Sequence, residues 1–314
     1  MSVRVTISNG WGIALLATAW LSVACLDPGA GISPAARGET PETGPLRDLP
    51  YCAPGGDILS LDLYRPAASF PTPHPLVIHF HRGGWTSGSK SGSGWFDHGR
   101  SAFAQAGYAV ASVQYRLAPE HPWPAALHDT ACAVRFLRRN ARELGLDASR
   151  FATWGLGAGA HLAAMVGVAG DAVATAGSEH PGVSTSVDAV LALWGPMDLT
   201  QKNPPAISVG LLVSVFGTAQ GESPALKAAS PFHQARRGAP AHLLVHGLED
   251  RTIPVQQSVL YHNRLTELEV SSHIWLLEAT DDGQGTGQPY AGEMEAISTE
   301  VARYLRDRWS PDDG

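Results

Sequence analysis

Two glycine-rich stretches carry residue types that could do chemistry on a bound carbonyl group. The first is His81-Arg82-Gly83-Gly84-Trp85 and the second is Gly155-Leu156-Gly157-Ala158-Gly159. Because glycine has no side chain, backbone N–H groups in such stretches can approach a carbonyl oxygen that is gaining negative charge. Further along the chain, Asp250 and Asp282 supply carboxylates that could act as acid or base. These groups can act together only if the fold gathers them in one place.

The segments around these stretches alternate between strand and helix patterns. Short apolar, β-branched runs predict strands, and apolar residues at helical spacing predict the helices between them. The predicted strands are 58–64 (at an exposed edge), 75–81, 108–113, 150–154, 189–194, 241–246 and 273–277, and the predicted helices are 125–144, 160–168, 207–216, 255–268 and 293–308. This order predicts the α/β class, with a mostly parallel central sheet and helices on both faces. The apolar helix 207–216 could be a small lid or part of the core.

The N-terminal segment has the composition of an export signal. Arg4 precedes an uncharged apolar run, 12–23, which is short for a membrane span. The run ends in Leu21-Ser22-Val23-Ala24-Cys25, which resembles a bacterial lipobox and predicts lipidation at Cys25; cleavage after Ala24 without lipidation is the alternative. We therefore expect a signal peptide at 1–24, a flexible Pro- and Gly-rich tether at 25–47 and one folded domain at 48–314.

Charge and cysteine content exclude several classes of function. With 22 basic and 29 acidic residues, the net charge of −7 gives no electrostatic reason to bind nucleic acid. Cys52 and Cys132 are expected as two buried free thiols, although an oxidising compartment would permit a bridge between them. No histidine follows either cysteine at the spacing of a zinc site. The sequence thus predicts no cofactor and no metal.

Several spaced motifs resemble those of one enzyme family. His81–Trp85 is similar to the HGGGW loop of carboxylesterases in the hormone-sensitive-lipase-like and feruloyl-esterase-like groups, and 115–122 (YRLAPEHP) matches their turn of that sequence. Residues 187–199 and 244–258 fit the same family. The resemblance covers about residues 50–310 and implies the α/β-hydrolase fold. It also implies carboxylic-ester hydrolysis by a Ser–Asp–His triad.

The resemblance assigns roles to the first glycine stretch. The N–H groups of Gly83 and Gly84, with that of Ala158, would form an oxyanion hole. His81 would orient the loop by a hydrogen bond, and Trp85 would lie at the pocket. Arg82 stands where the family has glycine, and it could either lie beside the site or point to solvent.

Two members of the triad are missing from the expected positions. Gly157 occupies the place of the serine nucleophile, and glycine cannot form an acyl-enzyme. Asp250 occupies the acid position, but Asp282 stands where the histidine base is expected, and no histidine occurs from 274 to 314. Three other histidines are poorly placed or belong to helix packing: His161, His262 and His273.

We therefore predict an exported esterase-like pseudoenzyme that keeps a pocket for a small ester-like or acyl ligand. An alternative is an ester hydrolase in which Asp282 or Asp250 activates water beside the oxyanion hole. Another is an envelope-tethered interaction module. A calcium ion between Asp250 and Asp282 is less favoured than solvated carboxylates. The protein would be periplasmic or outer-membrane-tethered, touching the membrane only through lipidated Cys25, or secreted if not lipidated; the sequence leaves its oligomeric state open.

Overall fold

The structure, a computed structural model, describes residues 5–9, 44–92, 94–173, 179–201, 207–278 and 291–310. The strands are β1 (Val5–Asn9), β2 (Leu46–Cys52), β3 (Leu59–Tyr64), β4 (His74–Phe80), β5 (Ala109–Val113), β6 (Leu146–Leu156), β7 (Ala189–Leu193), β8 (Ala241–Gly247) and β9 (Ser272–Leu277). The helices are α1 (Trp95–Gln105), α2 (Ala125–Arg139), α3 (Ala141–Leu144), α4 (Ala158–Ala169), α5 (Val209–Phe216), α6 (Pro224–Ala228), α7 (Pro231–Gln234), α8 (Gln256–Glu267) and α9 (Ala291–Arg308).

The described strands form one sheet in the order β1-β9-β8-β7-β6-β4-β5-β3-β2. Pairing is parallel from β9 through β8, β7, β6 and β4 to β5, and antiparallel at both edges. Apolar residues cover both faces of the sheet, as a parallel sheet buried by helices requires. One layer includes α2 and α4, and the other is made largely by α1 and α9. The predicted α/β class is confirmed.

The structure differs from the sequence prediction at three places in these elements. β3 was expected at the edge of the sheet, but β2 pairs on its outer side and buries it. β2 begins at Leu46, which lies inside the predicted tether 25–47. The single helix predicted over 125–144 is divided at Asn140 into α2 and α3.

The expectation of two free thiols was also wrong, because a disulfide joins Cys52 to Cys132. Cys52 is the last residue of β2, and Cys132 lies in the middle of α2. Their Cα atoms are 6.5 Å apart, within the usual range for a bridge. The bond therefore fastens the edge of the sheet to the helix that covers it.

The predicted export signal lies largely outside the described residues, as do Cys25 and most of the tether. Within the signal, Val5–Asn9 forms β1 and pairs antiparallel with β9. No helix in the described part of the chain has both the length and the apolar character that a bilayer crossing requires. Cleavage and lipidation stay predictions.

Candidate active site

The carboxyl ends of the parallel strands bring the predicted site residues to one edge of the sheet. The glycine loop 81–85 follows β4, the turn at Gly157 follows β6, and Asp250 comes just after β8. In open parallel sheets, ligands bind at this edge because the strand-to-helix loops meet there. The fold thus gathers both glycine stretches and the acid, as the sequence predicted. Asp282 lies outside the described residues.

The turn between β6 and α4 has the backbone of a nucleophile elbow without a side chain at its tip. Gly157 adopts φ +54° and ψ −116°, a left-handed conformation that L-residues adopt only with strain. Its N–H donates to the Leu193 carbonyl (3.0 Å), and its own carbonyl accepts from His161 N–H (3.0 Å). No described atom beyond its chain neighbours lies within 4 Å of the position that a Cβ would occupy. The turn therefore has space for a side chain and lacks one.

Ala158 is the first residue of α4 and is buried. N–H groups in the first turn of a helix have no partner within the helix and carry the positive end of its dipole. The backbone N–H of Ala158 is thus of the type that could stabilise an oxyanion next to Gly157, as the resemblance implies.

The loop of Gly83 and Gly84 has a conformation that requires glycine. Their φ angles are +127° and +60°. The Gly83 carbonyl accepts from the N–H groups of Thr86 (3.1 Å) and Ser87 (3.0 Å). A Cβ on Gly83 would lie 2.1 Å from the Ser87 carbonyl oxygen, which excludes any other residue. Gly83 is therefore needed for the turn itself, whether or not its N–H group binds a ligand, and the positive φ of Gly84 favours glycine without excluding other residues.

His81 packs against the chain after β5 and hydrogen-bonds within this loop. Its ring is buried and stacks on Tyr115 with centroids 4.1 Å apart, and its Nδ1 lies 2.9 Å from the Arg82 carbonyl oxygen. Burial lowers the pKa of His81 to about 4. The Tyr115 hydroxyl donates to the His81 carbonyl (2.8 Å), which ties the loop to the chain after β5. The ring thus serves as a fixed internal support.

Of the two residues that flank the glycines, Arg82 is exposed and Trp85 is buried. Arg82, whose placement the sequence left open, has an exposed side chain. Trp85 is buried, and its indole packs edge-on against His161 (5.0 Å) and Phe216 (5.2 Å). Trp85 therefore belongs to the packing between the glycine loop, α4 and α5.

Helix α5 covers the glycine loop and combines the two roles that the sequence left open. Leu211 Cδ2 lies 3.4 Å from the position of a Cβ on Gly84, and the Val215 carbonyl accepts from Trp123 N–H (2.8 Å). Its buried face includes Val215, whereas Val209 and Val213 are 68% and 49% exposed. The helix is core on one side, contacts the glycine loop through Leu211, and leaves Val209 and Val213 exposed.

Asp250 is buried after β8, and its own loop occupies its carboxylate. Oδ1 accepts from the N–H groups of Thr252 (2.7 Å) and Ile253 (2.9 Å), and Oδ2 lies 3.4 Å from His246 Nε2. His246 Nε2 is also 2.7 Å from the Ile253 carbonyl, and its Nδ1 is 2.7 Å from Ser258 Oγ. The acid is thus part of a hydrogen-bonded turn.

Sequence reasoning missed His246 and Ser258, which with Asp250 resemble a triad in composition. The His246 and Ser258 side chains are fully buried, so no substrate can reach the hydroxyl. Both ring nitrogens of His246 are already engaged inside the protein. The available signal was the placement of His246 four residues before Asp250, at the end of a strand. These hydrogen bonds stabilise the loop that carries Asp250, and the buried residues do not form a second active centre.

A second missed network joins the loop after β7 to the start of α8. Gln257 Oε1 accepts from the N–H groups of Met197 (2.8 Å) and Asp198 (2.7 Å). Asp198 Oδ1 accepts from the Thr200 hydroxyl (2.6 Å) and lies 3.3 Å from His233 Nε2. These contacts fix the wall of the site between β7 and β8. No short sequence motif identifies them, because the partners come from separate segments.

The other histidines considered as bases, at 161, 262 and 273, lie in structural surroundings. His161 is fully buried among aromatic rings, its Nε2 is 2.6 Å from the Ala229 carbonyl, and burial lowers its pKa to about 4. His262 lies on α8 with its Nδ1 2.9 Å from Ser272 Oγ, at the opposite end of β9 from the site. His273 lies next to it, also at the start of β9. The predicted packing role of His161 is confirmed.

Comparison with known sequences identifies the family. The sequence model of the BD-FAE family matches residues 61–265. Esterase LipC of Mycobacterium tuberculosis is 32% identical over 229 residues, which are 72% of this chain and 56% of LipC. Esterase LipQ of the same organism is 31% identical over 216 residues, which are 67% of this chain and 50% of LipQ. The chain thus spans about half the length of these curated relatives.

Solved structures share the fold. Esterase LipW from Mycobacterium marinum has a TM-score of 0.67 at 26% identity, over 85% of this chain and 82% of LipW. Thermogutta terrifontis esterase 2, in a form phosphonylated by sarin, has a TM-score of 0.72 at 24% identity, over 86% of this chain and 97% of the esterase. Since the family match covers 61–265 of 314 residues, this chain belongs to the BD-FAE family of carboxylesterase-like α/β-hydrolases.

Proposed function

We propose that this protein has lost serine-esterase activity and uses the remaining pocket to bind a small ester-like or acyl ligand. The observation that carries the proposal is Gly157, which adopts the φ +54° of a nucleophile elbow and has no atom that could attack a carbonyl. Backbone N–H groups cannot replace it, because covalent catalysis needs a nucleophilic side chain.

The general base is the second missing part. All thirteen histidines of the sequence lie within the described ranges, and apart from its two chain neighbours no described residue has an atom within 4 Å of a Cβ position on Gly157. His246, the histidine in contact with the acid, has both nitrogens engaged inside the protein. A serine at 157 would therefore still need a base supplied from elsewhere.

The magnitude of the loss decides against residual esterase function. Removing the nucleophile of a serine hydrolase lowers turnover by about 10⁶-fold. An ordinary turnover of about 10 per second would fall to about 10⁻⁵ per second. The oxyanion hole and substrate binding alone retain about 10³–10⁴-fold over water.

The ligand class follows from the retained groups and from the relatives. The N–H groups of Gly83, Gly84 and Ala158 are the donors that the resemblance assigns to an oxyanion hole, and they suit a carbonyl or carboxylate oxygen. LipC and LipQ are named esterases. A pocket inherited from such enzymes would accept the acyl part of a small ester.

Turnover of p-nitrophenyl acetate by four full-length chains tests this proposal. The chains are the native protein, Gly157→Ser, Asp282→His, and the double variant. We expect no turnover above background in the native protein or in Asp282→His. Gly157→Ser alone should show little more turnover than the native protein, because a serine without a base is a weak nucleophile. The double variant should exceed both single variants by orders of magnitude.

Native turnover within about 100-fold of an ordinary esterase would overturn the proposal. If Asp250→Asn abolished that turnover, the activity would be assigned to water activated by a carboxylate. If the native chain were inactive and the double variant also failed, while still binding acetate-type ligands by calorimetry, the pocket would be retained and the base position at 282 wrong. Absence of both activity and binding would favour the interaction-module alternative.

We also propose export, with lipidation at Cys25. The disulfide between Cys52 and Cys132 supports an oxidising compartment, because such bridges are rare where cellular thiols stay reduced. A cysteine directly after a small-residue cleavage site supports a lipid anchor. Labelling of growing cells with radioactive palmitate should mark the native chain and not Cys25→Ser; equal labelling of both would exclude Cys25.

A further inference from the structure

Three potential metal ligands meet away from the candidate active site. Cys52 at the end of β2, Cys132 on α2 and His180 in the loop before β7 each offer one ligand atom, and the three atoms lie within 4.8 Å of one another. Among the described residues, they form the one group of three or more such side chains this close together. In the structure the two sulfur atoms are bonded to each other.

The position of His180 is fixed by several contacts. It has φ +57°, an uncommon conformation that neighbouring contacts must stabilise. Its ring packs on Phe136 at 5.8 Å. The preceding residue, Glu179, accepts from Ala53 N–H through Oε1 (2.5 Å) and from Arg135 Nε through its carbonyl (3.2 Å). A disulfide needs no histidine beside it, so this placement is not explained by the bridge.

The hydrogen bond of His180 leaves a nitrogen available to a metal. Its Nε2 lies 3.0 Å from the Tyr51 carbonyl oxygen. A carbonyl can only accept, so Nε2 carries the hydrogen and Nδ1 carries the lone pair. Histidines that bind metals commonly donate their other N–H to a backbone carbonyl in this way. With Nε2 protonated, Nδ1 keeps a lone pair through which this histidine could bind a metal.

We propose that reduction of the Cys52–Cys132 disulfide converts this cluster into a binding site for one soft divalent cation such as Zn²⁺. A thiol or phosphine reductant supplies two electrons, the S–S bond breaks, and each sulfur takes up a proton. Binding of the ion then releases both protons to solvent and gives two thiolates and one imidazole as ligands. Water fills the fourth position, as in zinc sites with three protein ligands.

The surroundings suit such a site. The two cysteines are buried and His180 is half-buried, so the cluster lies at the edge of the interior. Two thiolates neutralise the charge of a divalent ion, so the complex carries no net charge in the interior. Mixed sulfur and nitrogen ligands select zinc over calcium or magnesium.

Cobalt binding to the full-length chain tests the proposal. The chain is reduced with a phosphine under nitrogen, freed of reductant and titrated with Co²⁺, whose visible absorption reports tetrahedral thiolate coordination. We expect one equivalent to bind, with the spectrum lost when Zn²⁺ is added. The oxidised chain should show no such bands. Uptake of the same ion by the oxidised chain would overturn the proposal.

Variants assign the ligands. Cys132→Ser should abolish the bands, and His180→Ala should weaken Co²⁺ binding by about tenfold or more, since even outer-shell partners cost 10–100-fold. His121→Ala, a histidine on another surface loop, is the matched control and should bind as the native chain does. A reduced His180→Ala chain with unchanged affinity would show that the three side chains do not form the site.

The fold of the reduced chain must be checked in the same experiment. Loss of a disulfide costs about 2–5 kcal/mol, which is less than the stability of most domains. We therefore expect circular dichroism of the reduced, metal-free chain to match that of the oxidised chain, and the cobalt bands to disappear in urea. Persistence of the bands in urea, or unfolding on reduction alone, would contradict a site built by the fold.

Discussion

The glycines of the turn between β6 and α4 are required for different physical reasons. A Cβ on Gly155 would lie 2.3 Å from the Gly159 carbonyl carbon, and a Cβ on Gly159 would lie 2.0 Å from the Phe80 carbonyl oxygen. Close-packed backbone cannot open such gaps cheaply, so neither position tolerates a side chain. At Gly157 the space is open, and only the left-handed backbone opposes a side chain, at about 1–2 kcal/mol.

Alanine substitutions should separate these two effects. We expect Gly159→Ala to lower the free energy of unfolding by about 3 kcal/mol, because its Cβ overlaps the chain at Phe80. Gly157→Ala, the matched control, should lower it by about 1 kcal/mol through backbone strain alone. Urea denaturation followed by circular dichroism measures both. Equal losses would mean that the turn relaxes around Gly159 and that its tight packing is not a constraint.

At the scale of elements, the sequence predicted the central strands and the longer helices but missed β2 and α1. β2 (LRDLPYC) carries charged residues and a proline, so it lacks the alternation of apolar and polar residues that predicts a strand. It becomes a strand by pairing with β3, which is a tertiary contact. α1 contains Gly99, which resembles a helix breaker. A Cβ there would lie 2.2 Å from Trp154, so the glycine serves helix–sheet packing.

The candidate site shows the same division between local and tertiary information. Gly157 and Asp250 could be located because each lies in a contiguous motif at a strand end. The approach of His180 to Cys132 could not, because it depends on how distant segments pack. The disulfide was missed for this reason too: nothing in the spacing of Cys52 and Cys132 indicates that β2 lies against α2.

At the scale of the whole molecule, buried histidines make the folded state sensitive to acid. Burial lowers the pKa of His79 to about 3, and the pKa values of His81, His161 and His242 to about 4. In the unfolded chain these rings titrate near 6.5. The unfolded state therefore binds more protons below pH 6.5, and stability is lost as pH falls from about 6.5 towards 4. Each ring with a pKa of about 4 lowers the free energy of unfolding at pH 5 by about 2 kcal/mol relative to its value at high pH.

Replacing one of these rings should flatten the pH dependence. We expect His161→Gln to reduce the slope of unfolding free energy against pH by about 1.2 kcal/mol per pH unit between pH 5 and 6. Measurement at pH 8, where the ring is neutral in both states, gives the packing loss separately. Parallel curves for the native and His161→Gln chains from pH 5 to 8 would show that His161 does not contribute to acid unfolding.

The contacts of Asp250 have a consequence for how such proteins diverge. Two backbone N–H groups, those of Thr252 and Ile253, donate to its carboxylate, so its loss would leave both donors without that partner, at about 1–3 kcal/mol each. Nothing comparable depends on a side chain at position 157. A lineage released from catalysis can therefore drift at the nucleophile while selection for folding alone keeps the aspartate. On the proposed loss of catalysis, the retention of Asp250 is expected from folding alone and does not by itself indicate an active enzyme.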